Sequence, residues 1–204
     1  MTRLLAALLG VMAVGCVKTH SVDLVPAGDG PLVGVYKAAI DDGSGVIRRA
    51  RLSLWAERPD RLHAELIGPV GGVSHVLDAG GGRVCVVEVA TSTAYAGEDS
   101  TAAIEALTGV RTSVADAVAA FLEGVPPPGL TLTRDGPAGG ALPVAIRIAD
   151  GSRSLALTRV RFERGTGDPH AVGTGTPPGG LAVRPIESLR PRSGVEPERS
   201  GGIR

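Results

Sequence analysis

Short segments of alternating apolar and polar residues, separated by glycine-rich turns, constrain this chain most strongly. In 49–57 and again in 62–66, every second residue is Ala or Leu and the residues between them are mostly polar. A period of two is typical of a strand that buries one face, and closely spaced turns favour a meander of antiparallel strands. The pattern predicts strands near 32–39, 49–57, 62–66, 73–77, 84–89, 93–95, 130–133, 144–149 and 153–163.

Two helices are predicted in the middle of the chain, over 101–107 and 114–122. Gly109 suits the end of the first helix. Ser113 and Asp116 form a capping box at the start of the second, whose apolar residues recur at helical spacing. The expected fold class is therefore α+β, a curved antiparallel meander with about two helices covering one face.

The N-terminus indicates a bacterial lipoprotein signal. Residues 1–15 form a signal peptide, because the apolar run 4–14 is too short to span a bilayer. Small residues then precede Cys16, as in a lipobox, where the cysteine is acylated and becomes the mature N-terminus. An ordinary signal peptide with an incidental cysteine is the alternative. Residue 17 is Val, not Asp, which in enterobacterial sorting signals permits export to the outer membrane, and 16–30 is expected to be a flexible tether.

The remaining chain divides into a folded part and a tail. Residues 31–164 carry all the predicted strands and helices and are expected to form one domain. Residues 165–204 are rich in Gly and Pro with mixed charge, so we expect this tail to be disordered.

Composition and motifs argue against several function classes. Lys+Arg and Asp+Glu are both 21, and aromatic residues are 2% of the chain. Nucleic-acid binding, which needs a basic field or stacking platforms, is therefore not expected. The chain lacks a nucleophile elbow, a phosphate-binding loop and a cluster of residues with metal-ligand spacing. We expect neither enzymatic activity nor a metal, and no cofactor other than a covalent lipid on Cys16.

Individual histidines and cysteines give no stronger signal. We expect His63 and His75 to face solvent, although His63 shares a face with Glu65 and could interact with it. Ser74 and His75 are strand neighbours and are expected to point to opposite faces. Cys85 lies in an apolar segment and is expected to be a small buried residue rather than a nucleophile.

One apolar face remains as a candidate site, where the second helix would cover the sheet. It is either a filled hydrophobic core or an apolar cavity, and periodicity does not distinguish the two. The candidate cavity residues are Leu52, Leu54, Leu62, Ala64, Leu66, Val84, Val86, Val118 and Phe121.

Several strings, in this order, resemble the LolB/LolA-like family of outer-membrane lipoproteins, LolB-like acceptors in particular. They are the lipobox at Cys16, LHAELIGPVG at 62–71, LTG at 107–109 and FLEGVP at 121–126. The resemblance implies a half-open antiparallel barrel with helices as a lid and a concave face that holds acyl chains of a passenger lipoprotein. It also implies a protruding loop whose apolar tip meets the membrane, here Pro69, Val70 and Gly71.

The expected function follows from the signal and the resemblance together. We expect an outer-membrane lipoprotein facing the periplasm of a Gram-negative-type bacterium, held by its lipid anchor. It would bind acyl chains or lipoproteins, with a periplasmic carrier protein as a partner in lipoprotein localisation. The alternative is an envelope lipoprotein that uses the same fold to bind protein in an assembly.

Overall fold

A computed structural model describes residues 32–68, 71–98, 100–136, 142–164 and 173–190. Within these residues the chain forms ten strands and two α-helices. The strands are β1 Leu32–Asp42, β2 Ile47–Glu57, β3 Arg61–Ile67, β4 Val73–Gly80, β5 Arg83–Glu88, β6 Thr93–Gly97, β7 Thr131–Asp135, β8 Ala145–Asp150, β9 Arg153–Arg164 and β10 Ala182–Pro185; the helices are α1 Ser100–Thr108 and α2 Val114–Glu123.

All ten strands belong to one sheet, in the order β10-β6-β5-β4-β3-β2-β1-β9-β8-β7. The first six form a meander, and β9 returns to the free side of β1, bringing β8 and β7 with it. Every pair is antiparallel except β10 with β6. The order begins and ends with edge strands, so the described part of the chain is an open barrel. This confirms the predicted α+β class and the antiparallel meander.

Local chemistry explains the turns and helix ends. The β4–β5 hairpin turns through Gly81 and Gly82, both at positive φ, as the favoured two-residue turns require. At α2, the Ser113 hydroxyl accepts a 3.1 Å hydrogen bond from the Asp116 amide, which is the predicted cap. Gly124 ends α2 in the left-handed conformation.

The two helices lie over one face of the sheet, called here the concave face. The hydrophobic core lies between this face and the helices. Tyr36 on β1 is fully buried there, with its ring edge-on to Phe121 of α2 at 5.5 Å between centroids. The Tyr36 hydroxyl donates to the carbonyl of Pro143 at 3.0 Å, which satisfies the polar end of this core residue. The opposite surface of the sheet is called the convex face.

The expectation that 165–204 is disordered is wrong for residues 173–190. These residues run along the sheet, β10 pairs in parallel with β6, and Ile186 is completely buried. The average Gly and Pro content did not predict that this segment is ordered, because its order depends on a few specific contacts with distant strands. One is the Ile186 side chain against Gly97, where an added Cβ would lie 2.6 Å from the Ile186 Cγ2.

Other predictions lie outside the described residues. They are the signal peptide 1–15, Cys16, the tether 16–30, the loop residues Pro69 and Val70, and the rest of the tail. Among the residues that the structure does describe, no helix is long and apolar enough to cross a membrane.

Candidate functional site

An apolar cavity of about 90 Å³ lies between the concave face and the two helices. Its wall comes from strands on both sides of β1 and from both helices, so it forms only when the sheet curves under the helices. The lining residues are Ala38, Ile40, Leu52, Leu54, Leu62, Ala64, Leu66, His75, Leu77, Ile104, Leu107, Thr108, Val110, Thr112, Ala117, Phe121, Ile146, Ile148, Leu155 and Leu157.

Six of the nine residues predicted for this face line the cavity: Leu52, Leu54, Leu62, Ala64, Leu66 and Phe121. The other three do not. Val84, Val86 and Val118 are buried in the filled part of the core. On β5 the reason is that α1 and the turn at Ile186 pack over the strand and leave no space there.

Sequence analysis missed the contribution of β8 and β9 to the cavity. Ile146, Ile148, Leu155 and Leu157 lie in its wall because β9 pairs with β1 and brings β8 to the same concave face. The alternation of Ile146 and Ile148 with polar or small residues indicated a buried strand face. The spacing of residues did not indicate the strand order that brings this face next to the cavity through β9.

The cavity is small compared with an acyl chain. Cavities of about 150 Å³ accept a molecule of the size of benzene, so a volume of about 90 Å³ has room for a few methylene groups. A longer apolar ligand requires the helices to move away from the sheet. Of the two alternatives, a filled hydrophobic core and an apolar cavity, the structure shows a combination: the core is mostly filled and retains a small apolar space.

Several polar contacts join the helices to the rest of the fold. Arg153 forms a 3.1 Å ion pair with Glu105 of α1, Arg58 forms a 2.7 Å ion pair with Glu123 of α2, and Arg134 donates a 3.2 Å hydrogen bond to the Phe121 carbonyl. Both pairs are partly exposed, and such pairs typically contribute 1 kcal/mol or less. Apolar contact with the sheet is thus the main attachment of the helices, and an apolar ligand would replace that contact with its own.

His75 is an exception in this apolar wall, and its predicted exposure to solvent is wrong. It lines the cavity with 6% of its surface exposed, because it shares the concave side with Leu77. The register shifts beside it, where Leu66 pairs with His75 and Ile67 with Val73. The extra residue, Ser74, forms a β-bulge.

The bulge also brings Ser74 and His75 together, although they were expected to point apart. His75 Nδ1 lies 3.2 Å from the Ser74 hydroxyl oxygen. The hydroxyl also donates to the carbonyl of Leu66 at 3.0 Å. When it does so, its oxygen is free to accept a hydrogen bond from the imidazole, as the tautomer protonated at Nδ1 would donate.

A second polar group lies on the convex face, where His63 contacts two carboxylates. His63 Nδ1 is 3.0 Å from Asp78 and its Nε2 is 3.7 Å from Glu65, so the predicted His63–Glu65 contact is present. The hydrogen bond with Asp78 is the main reason that the pKa of His63 is raised above its ordinary value. With only 24% of its side chain exposed, His63 is half-buried, contrary to expectation.

Asp78 holds the C-terminal segment against this face. Its carboxylate accepts hydrogen bonds from the amides of Gly173, Thr174 and Gly175 at 2.6, 2.9 and 3.0 Å. Burial by itself would raise the pKa of Asp78, but the hydrogen bonds from His63 and these amides lower it to about 2. These hydrogen bonds attach the C-terminal segment to the convex face of the sheet.

Cys85 lies in the same row of the convex face, opposite Asp78. It is 1% exposed, and burial raises the pKa of its thiol to about 11. The prediction of a small buried residue is confirmed. A thiol held neutral in this way is not a nucleophile at neutral pH.

The loop expected to contact membrane is described only at its base. The Gly68 amide donates to the Gly72 carbonyl at 2.9 Å, and the Gly71 amide donates to the Gly68 carbonyl at 3.0 Å, so these hydrogen bonds join the two ends of the loop. Gly71 is exposed with φ of 95°, a conformation that favours glycine.

The fold and cavity define an open antiparallel barrel with a two-helix cover. No protein-family model and no curated protein matches this chain. Within the described ranges, no three His, Cys, Asp or Glu side chains are grouped so as to hold a metal ion.

Proposed function

We propose that this protein is an envelope lipoprotein that binds acyl chains, of free lipids or of other lipoproteins, between its sheet and its helices. The observation that carries the proposal is the cavity, whose lining is apolar except for His75, Thr108 and Thr112. An apolar space inside a core costs stability, since a filled core is better packed. An apolar ligand that fills the space would therefore stabilise the folded protein.

The energetics favour a chain-like ligand. Burial of an acyl chain contributes about 0.8 kcal/mol per methylene. A few methylenes fit the existing space, and further ones would displace α1 and α2, whose ion pairs to the sheet contribute little. Binding in this mechanism is noncovalent, and transfer between proteins requires only that each acceptor binds the chain more tightly than the donor.

The membrane anchor and the role in lipoprotein localisation rest on the lipobox at Cys16 and on the resemblance to LolB-like acceptors. In that proposal the mature chain is an outer-membrane lipoprotein facing the periplasm, and a periplasmic carrier delivers its passenger. The loop 68–72 would contact the bilayer through Val70.

The cavity is tested by two substitutions on one helix. Ala117 lines the cavity and Ala115 is exposed, so Ala117→Leu fills the space and Ala115→Leu adds the same atoms in solvent. Binding of a fluorescent fatty acid to the chain from Val17 onward should weaken at least tenfold in Ala117→Leu and stay unchanged in Ala115→Leu. Mass spectrometry of the purified proteins should find copurified lipid in the wild type and in Ala115→Leu, and less of it in Ala117→Leu.

Two results would contradict the proposal. Equal binding by both variants at matched thermal stability would show that the cavity is not the site. A wild-type protein that purifies without lipid, binds no fatty acid and forms a stoichiometric complex with another envelope protein would instead favour the assembly-factor function.

A further inference from the structure

Four basic side chains are exposed together on the convex face, on the surface opposite the cavity. Lys37 on β1 and Arg51 on β2 are directly paired across the strands. Arg49 lies two residues before Arg51 on the same side, and Arg147 on β8 lies on that side too, between two cavity-lining isoleucines. All four are exposed, and together they are called the cationic face.

The floor between these side chains is made of small residues. Arg49 pairs with Ala39, Ala39 with Ala156, and Ala156 with Arg147, so two alanines separate the two arginines in one row of the sheet. Three strand spacings place their backbones about 14 Å apart. The result is a broad, shallow surface with long cationic side chains around it.

The salt bridges among the described residues join no Asp or Glu to any of these four side chains. On the same face, the Glu65 carboxylate lies 3.7 Å from His63 Nε2, and the Asp41 carboxylate accepts a hydrogen bond from the Gly43 amide. Like charges directly opposite each other, as in Lys37 and Arg51, are destabilising. The whole chain has a formal net charge of zero, so the excess of positive charge on this face arises because the basic residues are clustered there.

We propose that the cationic face docks on an anionic lipid bilayer. Exposed Lys and Arg side chains on this face complement headgroup phosphates, with about a fivefold gain in affinity for each basic residue near the membrane surface. The cationic face also borders the turn at 68–72, because Arg51 pairs with Ile67, the last residue of β3. In this orientation the helices and the cavity point away from the bilayer.

The number of residues between Cys16 and β1 is compatible with this docking. Residues 17–31 separate it from the start of β1 and span at most about 50 Å when extended. Beside such a lipid anchor, a basic surface adds electrostatic attraction to anionic lipids. The inference does not depend on what the cavity binds.

Vesicle binding without the anchor tests this inference. The chain from Val17 onward should sediment with vesicles that contain phosphatidylglycerol and not with vesicles of phosphatidylcholine alone, and binding should fall as salt is raised. Lys37→Gln with Arg51→Gln should weaken binding about 25-fold. Arg49→Gln with Arg147→Gln, a second pair on the same face, should act similarly.

The matched control removes the same charge elsewhere. Arg111 and Arg184 are exposed outside the cationic face, and Arg111→Gln with Arg184→Gln should leave binding within about twofold. An equal loss in the control pair, or no binding to either kind of vesicle by the wild type, would overturn the proposal. Fatty-acid binding is measured without vesicles, so either proposal can fail alone.

Discussion

The carboxylate of Asp78 accepts a 2.6 Å hydrogen bond from the amide of Gly173, 95 positions further along the chain. Gly173 has φ of 68° and lies so close to the sheet that an added Cβ would be 2.8 Å from the Trp55 ring. Glycine is therefore required there for both conformation and space. Through this contact a glycine-rich segment covers the part of the convex face around Trp55, which has only 8% of its surface exposed.

The C-terminal segment should contribute to stability through Ile186. This side chain is fully buried, so Ile186→Ala should lower the free energy of unfolding by about 2–4 kcal/mol. Val183 on the neighbouring strand is 57% exposed, and Val183→Ala should change the same quantity by less than about 0.5 kcal/mol. Urea denaturation compares them, and similar values for the two variants would show that the segment is not docked in solution.

Asp78→Asn should destabilise the protein by about 2 kcal/mol near pH 5.5. The pKa of this carboxyl falls from 3.8 to about 2 on folding, and each unit corresponds to about 1.4 kcal/mol. An asparagine would also turn an amide group toward backbone N–H donors. The matched control is Asp150→Asn, an exposed residue at the end of β8, which should be neutral. Denaturation at that pH gives both values.

The effect of Asp78→Asn should depend on pH in both directions. A lowered carboxyl pKa stabilises the fold above about pH 4, and this contribution is lost as the pH falls toward about 2. A raised histidine pKa stabilises the fold below 6.5, and this contribution is lost as the pH rises through the folded pKa of His63. The difference between wild type and variant should therefore be largest between about pH 4 and 6.5. A difference independent of pH would exclude the His63–Asp78 pair as its cause.

Cys85 should be unreactive in the folded protein. With 1% exposure and a thiol pKa of about 11, it should react with a thiol reagent at neutral pH only as fast as the chain unfolds. The chain from Val17 onward lacks Cys16 and so contains this thiol alone. Mass spectrometry after labelling, with and without denaturant, measures the difference. Rapid labelling of the native protein would contradict the described burial.

Cys16→Ser tests the anchor. If the lipobox functions, the variant should lose lipidation and either remain uncleaved or become soluble, which fractionation and intact mass detect. Full membrane retention after a high-salt wash, which removes electrostatic binding by the cationic face, would show that the assignment is wrong.

Local patterns in the sequence determined the two helices and the strands of this protein other than β10. The alternation in 49–57 and 62–66, the capping box at Ser113 and the glycines at hairpin turns each depend on near neighbours, so their consequences are readable from spacing. They also identified Leu52, Leu54, Leu62 and other members of one apolar face.

Only the tertiary structure decided where these elements meet. The pairing of β9 with β1 brought Ile146 and Leu157 into the cavity wall, whereas packing by α1 and Ile186 excluded Val84 and Val86. The bulge at Ser74 joined it to His75. The order of residues 173–190 depends on Asp78 and Gly97, which are far away in sequence. Such contacts leave no periodic signal, because they are fixed by strand order and by steric fit between distant residues.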